Sequence, residues 1–486
     1  MERTRSNAIW TFVVTSLALF MVALDNLVVT TALPVIKRDL GASLADLQWM
    51  VNAYTLTFAV LLITGAALGD RFGRKRVFLV GMATFIGGSA LAALSPSTQV
   101  LILARAIQGV GGAIVTPLTL TILSAAVPRE RRAVALGAWG GIAGLAIAIG
   151  PLVGGAIAEG LDWHWIFWLN VPLGLIVIPL AAARLTETHG PEGRLDVPGL
   201  GLISAGLLAL VWGVINGNDL GWGSTQVIAA IVGGVGLLVT FLVWEARHSH
   251  PMLPLAFFRS RAFSAANAVS LLMYFGMFGS IFLLSQFFQV VQGYSPFQAG
   301  LRTLPWTGMP IIVAPIAGVL ADRIGGRPIL ATGMALQAVA IGWLAAIVTP
   351  TVAYEAMVLP FILAGIGMGL FFAPIANVVL SAVRPEEEGK ASGATNTIRE
   401  VGGVFGVAVL AAVFTANGSY NDPVAYVAGL QPAIAVGALI VGLGALAALF
   451  IPARAGARAR TPSLVLPERE GRTAGEPAYA FAEIDS

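Results

Sequence analysis

Four ionisable residues stand inside long apolar runs of this chain, where charge is costly and therefore informative. Asp25 lies in Phe20-Met21-Val22-Ala23-Leu24-Asp25-Asn26-Leu27. Arg105 lies in Leu101-Ile102-Leu103-Ala104-Arg105-Ala106-Ile107-Gln108-Gly109. Glu400 follows Arg399 in Thr395-Asn396-Thr397-Ile398-Arg399-Glu400-Val401. A charged side chain at the centre of a hydrocarbon layer costs about 3 kcal/mol even on lenient insertion scales, so each marks a candidate functional site. A carboxyl there suits proton handling. A neighbouring arginine favours its charged form and desolvation its neutral form, so a change in water access can move a proton.

Such residues need helices to hold them. Apolar residues make up 57% of the 486 positions and charged residues 11%, with a mean hydropathy of +0.84. A soluble surface needs more charge than that. The apolar residues come in runs of about twenty, the helix length that crosses a ~30 Å hydrocarbon layer. The chain is read as an all-α polytopic membrane protein with fourteen transmembrane helices. The predicted spans are Trp10–Thr31, Leu47–Gly69, Val77–Leu94, Val100–Leu123, Ala133–Ala158, Trp165–Ala183, Val197–Ile215, Thr225–Trp244, Phe263–Val290, Leu301–Leu320, Ile329–Val348, Ala356–Val379, Ala391–Phe414 and Pro432–Ile451. Met1–Arg5 precede an apolar run too long for a signal-peptide core, with no small-residue cleavage pattern, so a retained first helix is expected.

Lys/Arg placement orients the spans. With a cytoplasmic N-terminus, one side carries Arg71, Arg74, Lys75, Arg76, Arg129, Arg131, Arg132, Arg194, Arg247, Arg259, Arg261, Arg323, Arg327, Arg384 and Lys390. The other carries Lys37, Arg38 and Arg302. An even span count returns the tail, with Arg454, Arg458 and Arg460, to the same side as the N-terminus. A multi-pass protein of the cytoplasmic membrane with both termini inside is the expectation.

Depth follows from helical rise. Asp25 is about 15 residues, or about 22 Å, above the inner end of its span, leaving about 8 Å to the outer surface. Arg105 is about five residues into a span running inward, also about 8 Å deep. The two are expected to share a layer, where an unpaired arginine would demand a partner. Glu400 is near mid-membrane. Adjacent helical residues point apart, so Arg399 and Glu400 are not expected to form a simple mutual salt bridge. Glu400 is read either as a second protonatable or cation-binding acid or as part of a buried structural pair.

A charged loop occurs twice. Leu68-Gly69-Asp70-Arg71-Phe72-Gly73-Arg74-Lys75 falls between spans two and three, and Leu320-Ala321-Asp322-Arg323-Ile324-Gly325-Gly326-Arg327 between spans ten and eleven. A plain duplication of six spans would put the second copy after span eight. Two six-helix bundles with two extra central spans result: an N-terminal bundle over 1–184, an accessory hairpin with linkers over 185–260, a C-terminal bundle over 261–452, and a disordered cytoplasmic tail over 453–486. Spans seven and eight have few polar residues and read as a lipid-facing pair. Two related halves are the layout of secondary transporters, which bind substrate between them.

Span five carries Gly141, Gly150, Pro151, Gly154 and Gly155, with Gly137, Gly140 and Gly144 nearby. Such spacing lets helix backbones approach, and Pro151 removes one ladder hydrogen bond. Span nine carries Phe275, Phe278, Phe282, Phe287 and Phe288, read as packing or lipid-facing, with Gln286, Gln289 and Gln292. Those glutamines, with Asn52, Tyr54 and Asn377, are candidates to line a cavity, and Arg399 joins them.

Several chemistries are disfavoured. Cysteine is absent, which removes disulfide, thiolate and Cys-metal chemistry. His164, His189, His248 and His250 fall at span ends or in loops without metal-ligand spacing, so no metal site is expected. The net charge of +3 reads as inward-facing loops, with no nucleic-acid-binding stripe. Glu130 and the run Glu386-Glu387-Glu388 read as solvated charge. There is no Gly-x4-Gly-Lys-[Ser/Thr] loop and no nucleophile–base constellation, so an enzyme is not expected. The absence of a soluble sensor domain argues against a receptor or scaffold.

These motifs together resemble the major facilitator superfamily, in particular its fourteen-span drug:proton antiporter branch, over nearly the whole chain to about Ile451. The stretch from Asp25 through Leu33-Pro34 looks like the branch's first-span motif, and Ala66-x-Leu68-Gly69-Asp70-Arg71-Phe72-Gly73-Arg74-Lys75 like the signature loop. Arg105-Ala106-Ile107-Gln108-Gly109 is similar to the fourth-span motif linked to proton transfer. The Gly150-Pro151 cluster resembles the antiporter motif, and Trp163-His164-Trp165-Ile166-Phe167-Trp168-Leu169-Asn170-Val171-Pro172 the connection between spans five and six. Ala66 and Ala146 replace glycines of the pattern, and Glu400 stands where relatives often carry an uncharged amide, which leaves the proton stoichiometry open. The resemblance implies that Asp25 and Arg105 couple protons, that the Asp70 loop and its Asp322 counterpart latch the halves in one state, and that the span-five glycines form a hinge or seal. It implies a monomer exporting a small lipophilic substrate, cations included, with the proton as coupling ion and no other cofactor. A dedicated exporter of one endogenous metabolite or lipid is the alternative. Proton symport is disfavoured by the antiporter motif.

Overall fold

A computed structural model describes residues 2–127, 129–190, 195–249, 251–384 and 387–453. The predicted tail from 454, with Arg454, Arg458 and Arg460, lies outside the described residues, as do Arg194, His250, Glu386 and the side chains of Arg129, Glu130, Arg131 and Arg132. The helices are α1 (Glu2–Leu40), α2 (Leu44–Phe72), α3 (Arg74–Ala93), α4 (Thr98–Ala126), α5 (Arg129–Gly160), α6 (Trp165–Trp168), α7 (Asn170–Arg184), α8 (Val197–Leu220), α9 (Thr225–Arg247), α10 (Arg261–Val290), α11 (Pro296–Thr307), α12 (Met309–Ile324), α13 (Gly326–Ile347), α14 (Tyr354–Ser381), α15 (Glu388–Asn417) and α16 (Pro423–Ala448). Taking α6–α7 and α11–α12 as single spans, fourteen stretches among the described residues are long and apolar enough to cross a membrane. No strand occurs among them.

The helices outrun the apolar runs because polar caps, not hydropathy, end them. Ser43 and Asp46 form a reciprocal capping box at the start of α2, and Ser97, Ser260 and Asp422 accept from the first turns of α4, α10 and α16. Two predicted spans are interrupted, one at Leu169 and one at Gly308. Pro172 and Pro310 lack the N–H that would reach Trp168 and Trp306, four residues back, and each interruption lies in the turn so released.

The duplicated loop sequence produces duplicated backbone. Gly73 (φ 103°) ends α2 and starts α3, and Gly325 (φ 86°) ends α12 and starts α13. The cap bonds match as well: Gly73 N–H donates to Gly69 O at 3.0 Å and Gly325 N–H to Ala321 O at 2.9 Å. Positive φ at both positions is the reason for glycine there.

The chain forms one half from α1–α7 and another from α10–α16. Between them comes the α8–α9 hairpin. Of this pair, expected to face lipid, only α9 is largely exposed. Helix α8 packs into both halves, with Leu207, Val211 and Ile215 against Leu56 and Val60 of α2 and Val404 and Ala408 of α15. At the centre, α10 is buried on nearly every side. Phe278, Phe282, Phe287 and Phe288 are core residues, with Phe288 against Phe361 at 6.0 Å between ring centroids.

The two halves are hydrogen-bonded across the end far from the Asp70 and Asp322 loops. There Gln289 donates to Thr31 O at 2.7 Å, Ser285 to Thr30 O at 3.3 Å and Thr307 to Ala148 O at 3.0 Å. Glu159 of α5 accepts from Phe297 N at 3.0 Å and from the Ser295 hydroxyl. Toward the loop end, Gly140, Gly141 and Gly144 of α5 face open space. There the halves remain in touch through α2 and α15, where Thr397 donates to Ala59 O at 3.0 Å.

Candidate functional site

Asp25 and Arg105 meet, buried to 0% and 1% side-chain exposure. Arg105 Nη1 donates to Asp25 Oδ2. Two further donors complete the carboxylate: Asn170 Nδ2 at 2.9 Å and Gln108 Nε2 at 3.2 Å, both to Oδ1. Gln108 also accepts from Arg105 Nη1 at 3.0 Å and donates to Ser89 Oγ at 2.8 Å. Arg105 Nε reaches Met50 O at 3.1 Å, and its guanidinium lies 4.2 Å from the Tyr54 ring centroid. Tyr54 OH donates to Val22 O at 3.1 Å. The network thus ties α1, α2, α3, α4 and α7 together. Removing one charge of such a buried pair costs about 3–5 kcal/mol, because the other is left without compensation.

Glycines let these helices come close enough. A Cβ on Gly88 would lie 2.8 Å from Gln108 N, and one on Gly109 2.4 Å from Tyr54 O. The polar groups consequently reach each other directly. Gln108 and Asn170 stand inside the motifs quoted above, whereas Ser89 lies outside them. The available signal was a polar side chain on an otherwise apolar helix.

Glu400 occupies a different environment. It is 5% exposed, and its Oε2 has no hydrogen-bond partner. Arg399 Nε approaches Glu400 Oε1 only to 4.0 Å, a loose contact without a hydrogen bond. The Arg399 guanidinium sits 4.8 Å from the Tyr274 ring centroid. Asn52 is fully buried with both amide atoms unpartnered. These groups keep donors and acceptors free in the interior between α2, α10 and α15.

The remaining cavity candidates separate. Gln286 is buried, donating to Phe282 O at 2.8 Å and accepting from Tyr420 OH at 2.6 Å. Gln292 donates to Val352 O at 2.7 Å, and Asn377 is half-buried on α14. Gln289 holds the far-end seal, and Tyr54 covers Arg105.

The two charged loops differ in their partners. Arg74 grips Asp70 Oδ1 through Nε and Nη2, both at 2.8 Å. The segment after α7 straps this turn: Glu187 accepts from Lys75 N at 2.9 Å and Arg76 N at 3.2 Å, and Arg74 N donates to Thr188 O at 2.9 Å. Asp322 and Arg323 are exposed and form no ion pair among the described residues. Among the described residues, neither loop is hydrogen-bonded to the opposite half. In span five, a Cβ on Gly154 would lie 2.1 Å from Val28 O and one on Gly155 2.2 Å from Pro296 O. Gly150 is close to Leu27, and Pro151 O to Gly300, whereas Gly141 has nothing within 4 Å. The motif therefore divides into a sealed part and an open part.

Comparison with known proteins agrees with this architecture. The chain matches the Major Facilitator Superfamily profile over residues 15–407 and 268–470. It is 36% identical to the tetracenomycin C resistance and export protein of Streptomyces glaucescens, over 82% of this chain and 74% of that protein. It is 38% identical to a cephamycin export protein of Amycolatopsis lactamdurans, over 86% and 87%. Among solved structures, a POT family transporter crystallised with a thioalcohol-conjugated peptide superposes with a TM-score of 0.66, at 16% identity, over 90% of this chain and 96% of that one. The last likeness concerns the fold alone. Fourteen apolar helices in two halves, the repeated loop and these relatives lead to one conclusion: the chain belongs to the Major Facilitator Superfamily of membrane transport proteins.

Proposed function

We propose that this protein is a proton-coupled antiporter that exports small lipophilic molecules from the cytoplasm by alternating access. The observation that carries this reading is the buried Asp25–Arg105 pair, held by Gln108 and Asn170, in a half that is hydrogen-bonded to the other across its far end. Asp25 accepts from three donors. A proton placed on Oδ1 would oppose the Gln108 and Asn170 N–H groups, donor against donor. Protonation must therefore be accompanied by movement of side chains on α4 or α7 relative to α1. That links proton occupancy to the packing of the half that opens.

The charge bias of the loops orients the Asp70 end toward the cytoplasm, with both termini on that side. That end would then admit substrate from inside, and the far end would block exit until the halves rock. Glu400, Arg399 and Asn52 supply the free polar groups of the inner surface, and Glu400 gives a cationic substrate a partner. The network lies within one chain, which is consistent with a working monomer. No cofactor beyond the proton is invoked. The names of the relatives support export. Because the names of these relatives each specify one kind of antibiotic, a dedicated exporter of one metabolite is the second reading, and transport of a chemically diverse dye panel separates the two.

The test is Asp25→Asn in proteoliposomes carrying an imposed pH gradient. Proton-driven efflux is expected to vanish while downhill exchange of a labelled substrate persists. Undiminished gradient-driven efflux by a folded variant would refute the coupling role.

A further inference from the structure

A separate cavity opens at the far end, outside the seal. Its volume is about 790 Å³, within the range of small-molecule sites, roughly 300–1,000 Å³. Both halves build it, from the end of α1, the turn after α10 and the α15–α16 turn. Its lining carries two cations, Lys37 and Arg38, and no acid. Lys37 Nζ lies 3.4 Å from the Tyr420 ring centroid, and Arg302, just behind the wall, is 3.5 Å from the Tyr294 ring. Both tyrosines line the cavity.

Among the described residues, Lys37, Arg38 and Arg302 have no carboxylate in ion-pair contact, although Asp39 and Glu159, bonded to neutral donors, stand nearby. Asp39 accepts from Trp163 Nε1 at 2.8 Å, and Glu159 from Phe297 N and Ser295. Burial holds the Tyr420 hydroxyl above its ordinary range, so it stays neutral. Cations resting on ring faces keep their charge available, while the ring edges and the aliphatic lining offer apolar contact. Gln289, which seals the halves, forms part of the lining.

We propose that this cavity binds an aromatic anion, with Lys37 and Arg38 meeting a carboxylate, phenolate or sulfonate and the edges of Tyr294 and Tyr420, with Pro34 and Pro296, lining the ring. The site is distinct from the Asp25 network and does not depend on the direction of transport. Its occupant would bridge the halves at the end where they are already closed.

The test uses the full chain in nanodiscs of neutral lipid and naphthalene-2,6-disulfonate as probe, followed by calorimetry. One saturable site is expected. Lys37→Gln/Arg38→Gln should weaken it about tenfold or more, the loss of charge-assisted contacts. Lys37→Arg, which keeps the charge, should bind more tightly than the double variant, and an unchanged melting temperature of the double variant excludes misfolding as the cause. A naphthyl trimethylammonium of similar size should not bind. Absence of saturable binding, unchanged binding in the double variant, or equal binding of the cation would overturn the proposal. So would binding of phosphatidylglycerol alone, which would assign the cations to a lipid head group.

Discussion

Gly155→Ala should weaken the sealed end, and the geometry sets the size of the effect. The added Cβ would lie 2.2 Å from Pro296 O and 2.7 Å from Pro296 C. A carbon–oxygen contact needs about 3.3 Å, so α5 and α11 must separate by about 1 Å. The obstacle is backbone and cannot rotate away. Overpacking of this kind costs about 1–3 kcal/mol. The helix-propensity gain of alanine, about 1 kcal/mol, is the same with the end sealed or open and drops out of the balance. A 2 kcal/mol bias moves the ratio of sealed to open forms about 30-fold. The chain has no cysteine, so Leu161→Cys and Val424→Cys, 58% and 69% exposed at the far end of each half, accept spin labels without background. Electron–electron resonance should show the Gly155→Ala distance distribution broadened toward longer values. Gly141→Ala, from the same motif but facing open space, should leave it unchanged. A distribution identical to the parent in folded Gly155→Ala, or an equal shift in both variants, would refute the division of span five into sealed and open parts.

Further expectations follow from single contacts. Gln289→Leu removes the bond to Thr31 O and should widen the same label distance more weakly, by an equilibrium shift of about 1 kcal/mol. Glu187→Ala should release the strap on the Asp70 turn. Its carboxylate is about one-quarter exposed, so the loss is about 1 kcal/mol after screening, and faster amide exchange confined to Lys75 and Arg76 is the readout.

Much of the scaffold was legible because apolar run length reports span number directly. The Asp25–Arg105 layer was legible too, since helical rise converts residue number to depth. The interruptions at Leu169 and Gly308 were less so: each depends on one proline three residues or fewer downstream, in a run that otherwise reads as continuous. Ser89 and Asn170 were beyond reach for a different reason. They join Asp25 only because α3 and α7 pack beside α1, and no local pattern encodes that neighbourhood. Gly141 and Gly155 look alike in sequence, and only the partner helix distinguishes them. The asymmetry of the loops depends on Glu187, far along the chain from the turn that it holds.

The accessory hairpin has a mechanical consequence. Helix α8 is fastened to α15 by Asn218 Nδ2, which donates to Ala412 O at 2.6 Å, while its contact with α2 is made of Leu56, Val60 and other apolar side chains. Apolar contact has no preferred direction and can be exchanged for an equivalent contact one turn away, whereas a directional bond must be broken to move. On the proposed alternating-access mechanism, α8 would therefore travel with the second half and glide over α2. Under the proposed rocking of the halves, the inserted pair would act as a sliding gasket over the α2–α15 seam.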